Sequence, residues 1–207
     1  MKSALVVWGI AAAVSVVFLL WYNGFRAPLS AEEVDAMVAR RAEQGATAED
    51  QARWRAFLSD DDGGEFVMVN VIDFQDDPEP VGEMKPGETA AEAQARYMAY
   101  MWPALVARAC HPVIGGGAAA DALDLWGIEG AERWDEGAMM RYRSRRDLIE
   151  IAGNPEFDGA HVYKIAAMDK TIAFPIDPVF QFGGGPRAVV LLSIALVASL
   201  VHGRLRR

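Results

Sequence analysis

The two ends of this sequence constrain it most. From Ser3 to Tyr22 no residue is charged, and Ala188 to Val201 is also uncharged and apolar. A mixed, acidic sequence lies between them. About 20 apolar residues rise about 30 Å as a helix, enough to cross the hydrocarbon core of a bilayer. Residues 3–22 therefore read as a transmembrane helix. Trp21 and Tyr22 stand where interfacial aromatics sit, and Asn23, Gly24 and Arg26 close the segment. A cleaved signal peptide is the competing reading, but no A-x-A-like site follows.

The second apolar segment, residues 188–203, is at the short edge for a span. Arg187 and Arg204 can snorkel outward and lengthen it. It is apolar on all sides, which disfavours the core helix of a soluble protein. Gly183-Gly184-Gly185 before it and the arginines after it also suit a processed bacterial sorting tail. Lys2 precedes the first segment, and Arg204, Arg206 and Arg207 end the chain. By the positive-inside rule both termini are cytoplasmic, with the central domain periplasmic or extracellular.

Charge narrows the partners. The net charge is -9, and the four cations at the extreme ends leave -13 on residues 3–203. Such a domain does not suit nucleic acid, whose phosphates need Lys and Arg, nor docking on anionic lipid through its own surface. Cys110 is the only cysteine, so no intramolecular disulfide and no Cys-rich metal site is expected.

Between the ends, residues 27–62 read as a helical stalk. Ser30-Ala31-Glu32-Glu33 is a capping-box pattern, and Thr47-Ala48-Glu49-Asp50 a looser one. Asp60-Asp61-Asp62 lacks calcium-loop spacing and reads as a turn. The period then changes. Phe66–Phe74 is a buried strand, and Tyr97, Tyr100, Met101, Ala104 and Leu105 mark the core stripe of a helix in which Pro103 predicts a kink or restart. A glycine-interrupted strand region runs from Pro112 to Ile128, and a third strand covers Glu136–Tyr142. A helix opens at Ser144, another spans about Phe157–Met168, and a last strand covers Thr171–Ile176. The order β-α-β-β-α-β predicts an α+β, ferredoxin-like domain over residues 65–177. A Gly/Pro linker at 178–187 joins it to the second apolar helix.

The stretch from Trp134 to Arg145, then Asn154-Pro155-Glu156-Phe157 and His161, resembles segments of an uncharacterised group of dimeric α/β-barrel proteins. Met68–Phe74 is similar to that group's opening strand. Arg143 stands where the group has proline, Phe157 where it has tyrosine, and Val162 where arginine follows the histidine. The resemblance implies a ferredoxin-like protomer that pairs its sheet with a second copy. The wider superfamily holds cofactor-free monooxygenases, isomerases, heme enzymes and plain ligand binders, so the fold alone selects no function.

Candidate chemistry is sparse. Asn70 lies among apolar residues on the face expected to be buried, where an amide needs partners. It either orients a ligand or bonds a neighbouring strand. His161 is a weak candidate for a general base, beside the reading of a structural histidine. Tyr97, Tyr100, Trp126 and Tyr142 can line an apolar pocket, and Arg141 in the basic cluster can hold a carboxylate. Core packing and local ion pairs explain the same residues. No cofactor and no metal are predicted: His111 and His161 lack metal-ligand spacing. Two functions follow. One is a membrane-anchored small-molecule-binding or interaction module, a homodimer. The other is a cofactor-independent enzyme, monooxygenase- or isomerase-like, acting on a small apolar or quinone-like substrate. The enzyme reading requires a closed apolar pocket in which Asn70 and a histidine converge.

Overall fold

In a computed structural model, residues 2–179 and 185–205 are described. They form two compact units, one of residues 26–177 and one of the two apolar ends.

The central unit holds α2 (Ala31–Glu43), α3 (Ala48–Ser59), β1 (Phe66–Phe74), α4 (Ala90–Ala107), β2 (His111–Gly117), β3 (Glu136–Tyr142), α5 (Arg145–Ala152), α6 (Pro155–Ala167) and β4 (Met168–Ile176). The sheet has order β2-β3-β1-β4, and all neighbouring strands are antiparallel. Strand pleating gives the sheet two different faces. Phe66 pairs with Tyr142 and Met68 with Met140, and these side chains meet the helices. With Tyr97, Met101 and Leu105 of α4, and Leu148 and Ile151 of α5, they form the main core. Of the predicted α4 stripe, Tyr97, Met101 and Leu105 are buried and Tyr100 and Ala104 half-buried. α4 runs on through Pro103 without a break, and Thr89 with Glu92 caps its start in a full capping box.

Two expectations about this unit are corrected. The segment 27–62 is no free stalk. Both capping boxes form, but Val34, Met37 and Val38 of α2 and Leu58 of α3 are buried against Ala152, with Ile149 and Phe157 beside them. An apolar stripe of that kind needs a covering surface, and the α5–α6 layer provides it. The second strand ends at Gly117, well short of Ile128. Its partner β3 begins only at Glu136, so residues 118–135 fall outside the regular strands and form an irregular extension of the β2–β3 hairpin. Boundaries also move slightly. α6 starts at Pro155 behind an Asn154 cap, and β4 begins at Met168, directly after the helix.

The terminal unit pairs α1 (Lys2–Asn23) with α7 (Gly185–Arg204). Both are long and apolar enough to cross a membrane. α7 is longer than residues 188–203 because Pro186 is tolerated in a first turn. The helices are antiparallel: the Arg187 guanidinium lies 5.0 Å from the centre of the Tyr22 ring, while Val7 and Val201 line one apolar groove at the other end. Residues 180–184 of the Gly/Pro linker, Gly183 and Gly184 among them, lie outside the described residues, as do Arg206 and Arg207.

Candidate functional site

The helix-facing side of the sheet is the natural place for a cleft. Much of it is filled. The Phe66 and Tyr142 rings stack at 5.1 Å, and Phe57 meets Phe66 edge-on. Where α4 crosses α6, Tyr97 and Tyr100 both meet Phe157 edge-on, and His161 stacks on Phe157 at 4.9 Å. The Tyr100 hydroxyl donates to the Ile151 carbonyl at 3.0 Å. Burial pushes the Tyr97 and Tyr142 phenols well above their ordinary range, so both stay protonated. Burial, aided by the Lys164 and Arg41 charges, lowers His161 to about 4 and keeps its imidazole neutral. Burial also raises Cys110 to about 11, which leaves a thiol and no nucleophilic thiolate.

The middle of this face is thinner. Gly115, Ala138, Asn70 and Ala173 pair in one row across all four strands. Asn70 is half-buried there, and its amide donates to the Met68 carbonyl at 3.2 Å. Two further groups belong to this layer. The Gln94 side-chain oxygen, one turn before Tyr97 on α4, is buried without a hydrogen-bond partner. The Lys164 ammonium lies over the Tyr97 ring at 5.8 Å, and burial lowers its pKa.

Among the described residues of the central unit, no helix packs on the opposite face. Ile114, Met139, Val69 and Phe174 pair in one apolar row, and Val71 with Ile172 and Val67 with Ile176 flank it. Ile114, Met139, Ile172, Phe174 and Ile176 are exposed.

The basic cluster serves the architecture. Arg141 is 1 % exposed; its Nε donates to Glu65 at 2.7 Å and its Nη1 to the Ala109 carbonyl at 2.7 Å. Arg143 grips the buried Asp147 through two hydrogen bonds of 2.8 and 2.6 Å, and the Ser144 hydroxyl donates to the same carboxylate. Burial would raise Asp147, but the Arg143 and Ser144 hydrogen bonds outweigh it and hold the carboxyl below its usual range. Arg26 reaches Asp147 from the other side at 3.4 Å. Arg145 bonds the Asp60 carbonyl and covers the Phe57 ring, and Arg146 pairs with Glu33 and bonds the Pro28 carbonyl. Most of these contacts fasten the 26–65 segment to the β3–α5 corner. Among the described residues no three His, Cys, Asp or Glu side chains are grouped to hold a metal ion.

No protein-family model matches the chain, and no curated protein is similar to it in sequence. Solved structures are similar. A protein of unknown function from Rhodopseudomonas palustris shares 25% identity at a TM-score of 0.51, over 66% of this chain and 96% of its own. Its methylated form gives 24% and 0.53, over 67% and 95%. A dimeric ferredoxin-like protein of unknown function from Jannaschia sp. CCS1 is more distant, at 15% and 0.36, over 56% and 100%. The fold is ferredoxin-like on its own topology, β-α-β-β-α-β in chain order with strand order β2-β3-β1-β4 in one antiparallel sheet.

Within that fold the predicted site residues separate. Tyr97 and Tyr142 share the main core, Tyr100 packs on it, and His161 touches the Tyr97 ring edge at 6.3 Å. Arg141 cannot join them: adjacent strand residues point to opposite faces, and Tyr142 faces the helices. Trp126 is 92% exposed in the hairpin extension, away from the tyrosines. The sequence reading missed Gln94 and Lys164. Both lie at helical spacing from recognised core positions, Gln94 three residues before Tyr97 and Lys164 four after Ala160. A polar residue on a core stripe is the signal that could have found them.

Proposed function

We propose that this chain is a membrane-anchored interaction module whose ferredoxin-like domain pairs with a second copy through the open face of its sheet. The observation that carries this reading is the apolar row Ile114–Met139–Val69–Phe174 on a face that no helix of the central unit covers. A soluble domain seldom leaves a contiguous apolar sheet face in water. The two apolar helices anchor the domain. Their antiparallel pairing supports a topology with both termini on one side, and the positive-inside rule applied to Lys2 and the terminal arginines supports a cytoplasmic side for them. The acidic domain then stands in the periplasm or outside the cell. Lysine- and thiol-independent photocrosslinking of the full chain tests the pairing: a photoreactive residue at Met139 should capture a second copy, and capture only of lipid or of unrelated proteins counts against it.

A second reading keeps the sheet–helix layer as a small-molecule site. It is supported by the orphaned Gln94 oxygen and by the small-residue row around Asn70. A small apolar molecule with one hydrogen-bond donor suits both. Enzymatic turnover of such a molecule, with neutral His161 as base, is the remoter form of this reading. Native mass spectrometry of the full chain released from detergent distinguishes them: a retained small molecule that is lost in Gln94→Leu favours the ligand site.

A further inference from the structure

The β2–β3 hairpin does not stop at the sheet. Ala118 N–H donates to the Asp135 carbonyl and Ala122 N–H to the Glu132 carbonyl, both at 2.8 Å, so the two legs continue as an arm. Its base is fixed. Asp135 accepts from Phe74 N–H at 2.7 Å, and Lys170 bonds the Gly130 carbonyl and covers the Trp134 ring. Its tip carries Leu123, Leu125, Trp126 and Ile128, all exposed, with Leu123 at 97% and Trp126 at 92%. An ordered arm with such a tip has a use outside its own protomer.

The geometry points to a dimer clasp: Leu123 and Trp126 of one protomer are buried against a second copy seated on the open sheet face. This rests on the pairing proposed above and adds the element that completes it. Area is the first argument. At 36–62% exposure, the five open-face side chains offer on the order of 400 Å², about half of the roughly 800 Å² per partner in a standard interface. The four apolar tip residues offer roughly as much again, which closes the gap. Charge is the second. Asp121, Asp124, Glu129 and Glu132 surround the tip, which opposes insertion into a bilayer. The middle rows of the open face carry no charge. Trp is also the residue type most often found as an interface anchor.

The test uses the full chain in detergent micelles. Leu123→Cys is labelled with a maleimide, with wild-type Cys110, which is buried, as background. Where the protein sediments as a dimer, labelling should run at least tenfold slower than for the same substitution combined with Phe174→Glu. Trp126→Ser should weaken the dimer tenfold or more. Equal labelling rates with the dimer intact overturn the clasp and leave the sheet pairing standing. Protection that persists in the Phe174→Glu monomer assigns the tip to detergent or lipid and also overturns it. A wild-type chain that never dimerises overturns both.

Discussion

The two ends of β3 contrast in how they treat their side chains. At its C-terminal end Arg141, Arg143, Arg145 and Asp147 are buried, and each meets an opposite charge or a backbone carbonyl. At its N-terminal end the arm leaves Leu123 and Trp126 in water. Charges lie inside and large apolar groups outside, the reverse of the usual distribution. The buried charges are accounted for within the chain, because they tie α2 and α3 to the β3–α5 corner. The exposed apolar groups have no such contacts within the chain, and the proposed interface is what would cover them.

Breaking the closed end should have the largest effect. Asp147→Asn removes the carboxylate that neutralises Arg143 and receives Arg26 and Ser144. Leaving a buried cation without its partner costs about 3–5 kcal/mol. Thermal unfolding of the full chain in micelles should show a large drop, and an unchanged midpoint means that Arg143 finds another partner. Next in size is the open face. Phe174→Glu should leave unfolding within about 1 kcal/mol of wild type. It should weaken pairing about 100-fold or more, since the new carboxylate would be desolvated in the interface.

A pH effect is smaller and belongs to the closed side. In the folded chain His161 is lowered to about 4, below its ordinary value of about 6.5. The fold therefore prefers neutral imidazole. That stability is fully present above about pH 6.5 and is lost as pH falls toward 4. His161→Phe, which retains an aromatic partner for Phe157, should flatten this slope in unfolding measured between pH 7 and 4. A slope that is unchanged moves the dependence to other groups. The smallest effect is at the rim. Glu33 is held near 2 chiefly by Arg146, with help from Ser30, but the pair is partly exposed. Glu33→Gln should cost only about 0.5–1 kcal/mol.

Much of the fold was legible because its signals are local. The capping boxes at Ser30 and Thr47, the Tyr97–Leu105 stripe and the strand Phe66–Phe74 each lie within a few residues of chain. The stalk was misread because the partner of Val34 and Leu58 is Ala152, about a hundred residues away, and periodicity does not name a partner. The ion-pair reading of the arginine cluster holds, with Asp147 as the local partner, but the carboxylates Glu33, Asp61 and Glu65 come from the distant N-terminal segment and could not be named from spacing. Arg141 was a different error, since alternation from Tyr142 already places it on the other face. Trp126 was taken as pocket lining because glycine-rich apolar sequence reads as strand. Only the late start of β3 shows that it has no partner strand.

The central claim is that the open sheet face is an interface between two copies. Sedimentation equilibrium of the full chain in density-matched detergent tests it most directly. Across a dilution series wild type should show twice the chain mass of 22.6 kDa and dissociate only at the lowest concentrations, while Phe174→Glu should remain at the single mass throughout. A wild-type chain that holds the single mass at every concentration, or a Phe174→Glu variant that dimerises as wild type does, would contradict it.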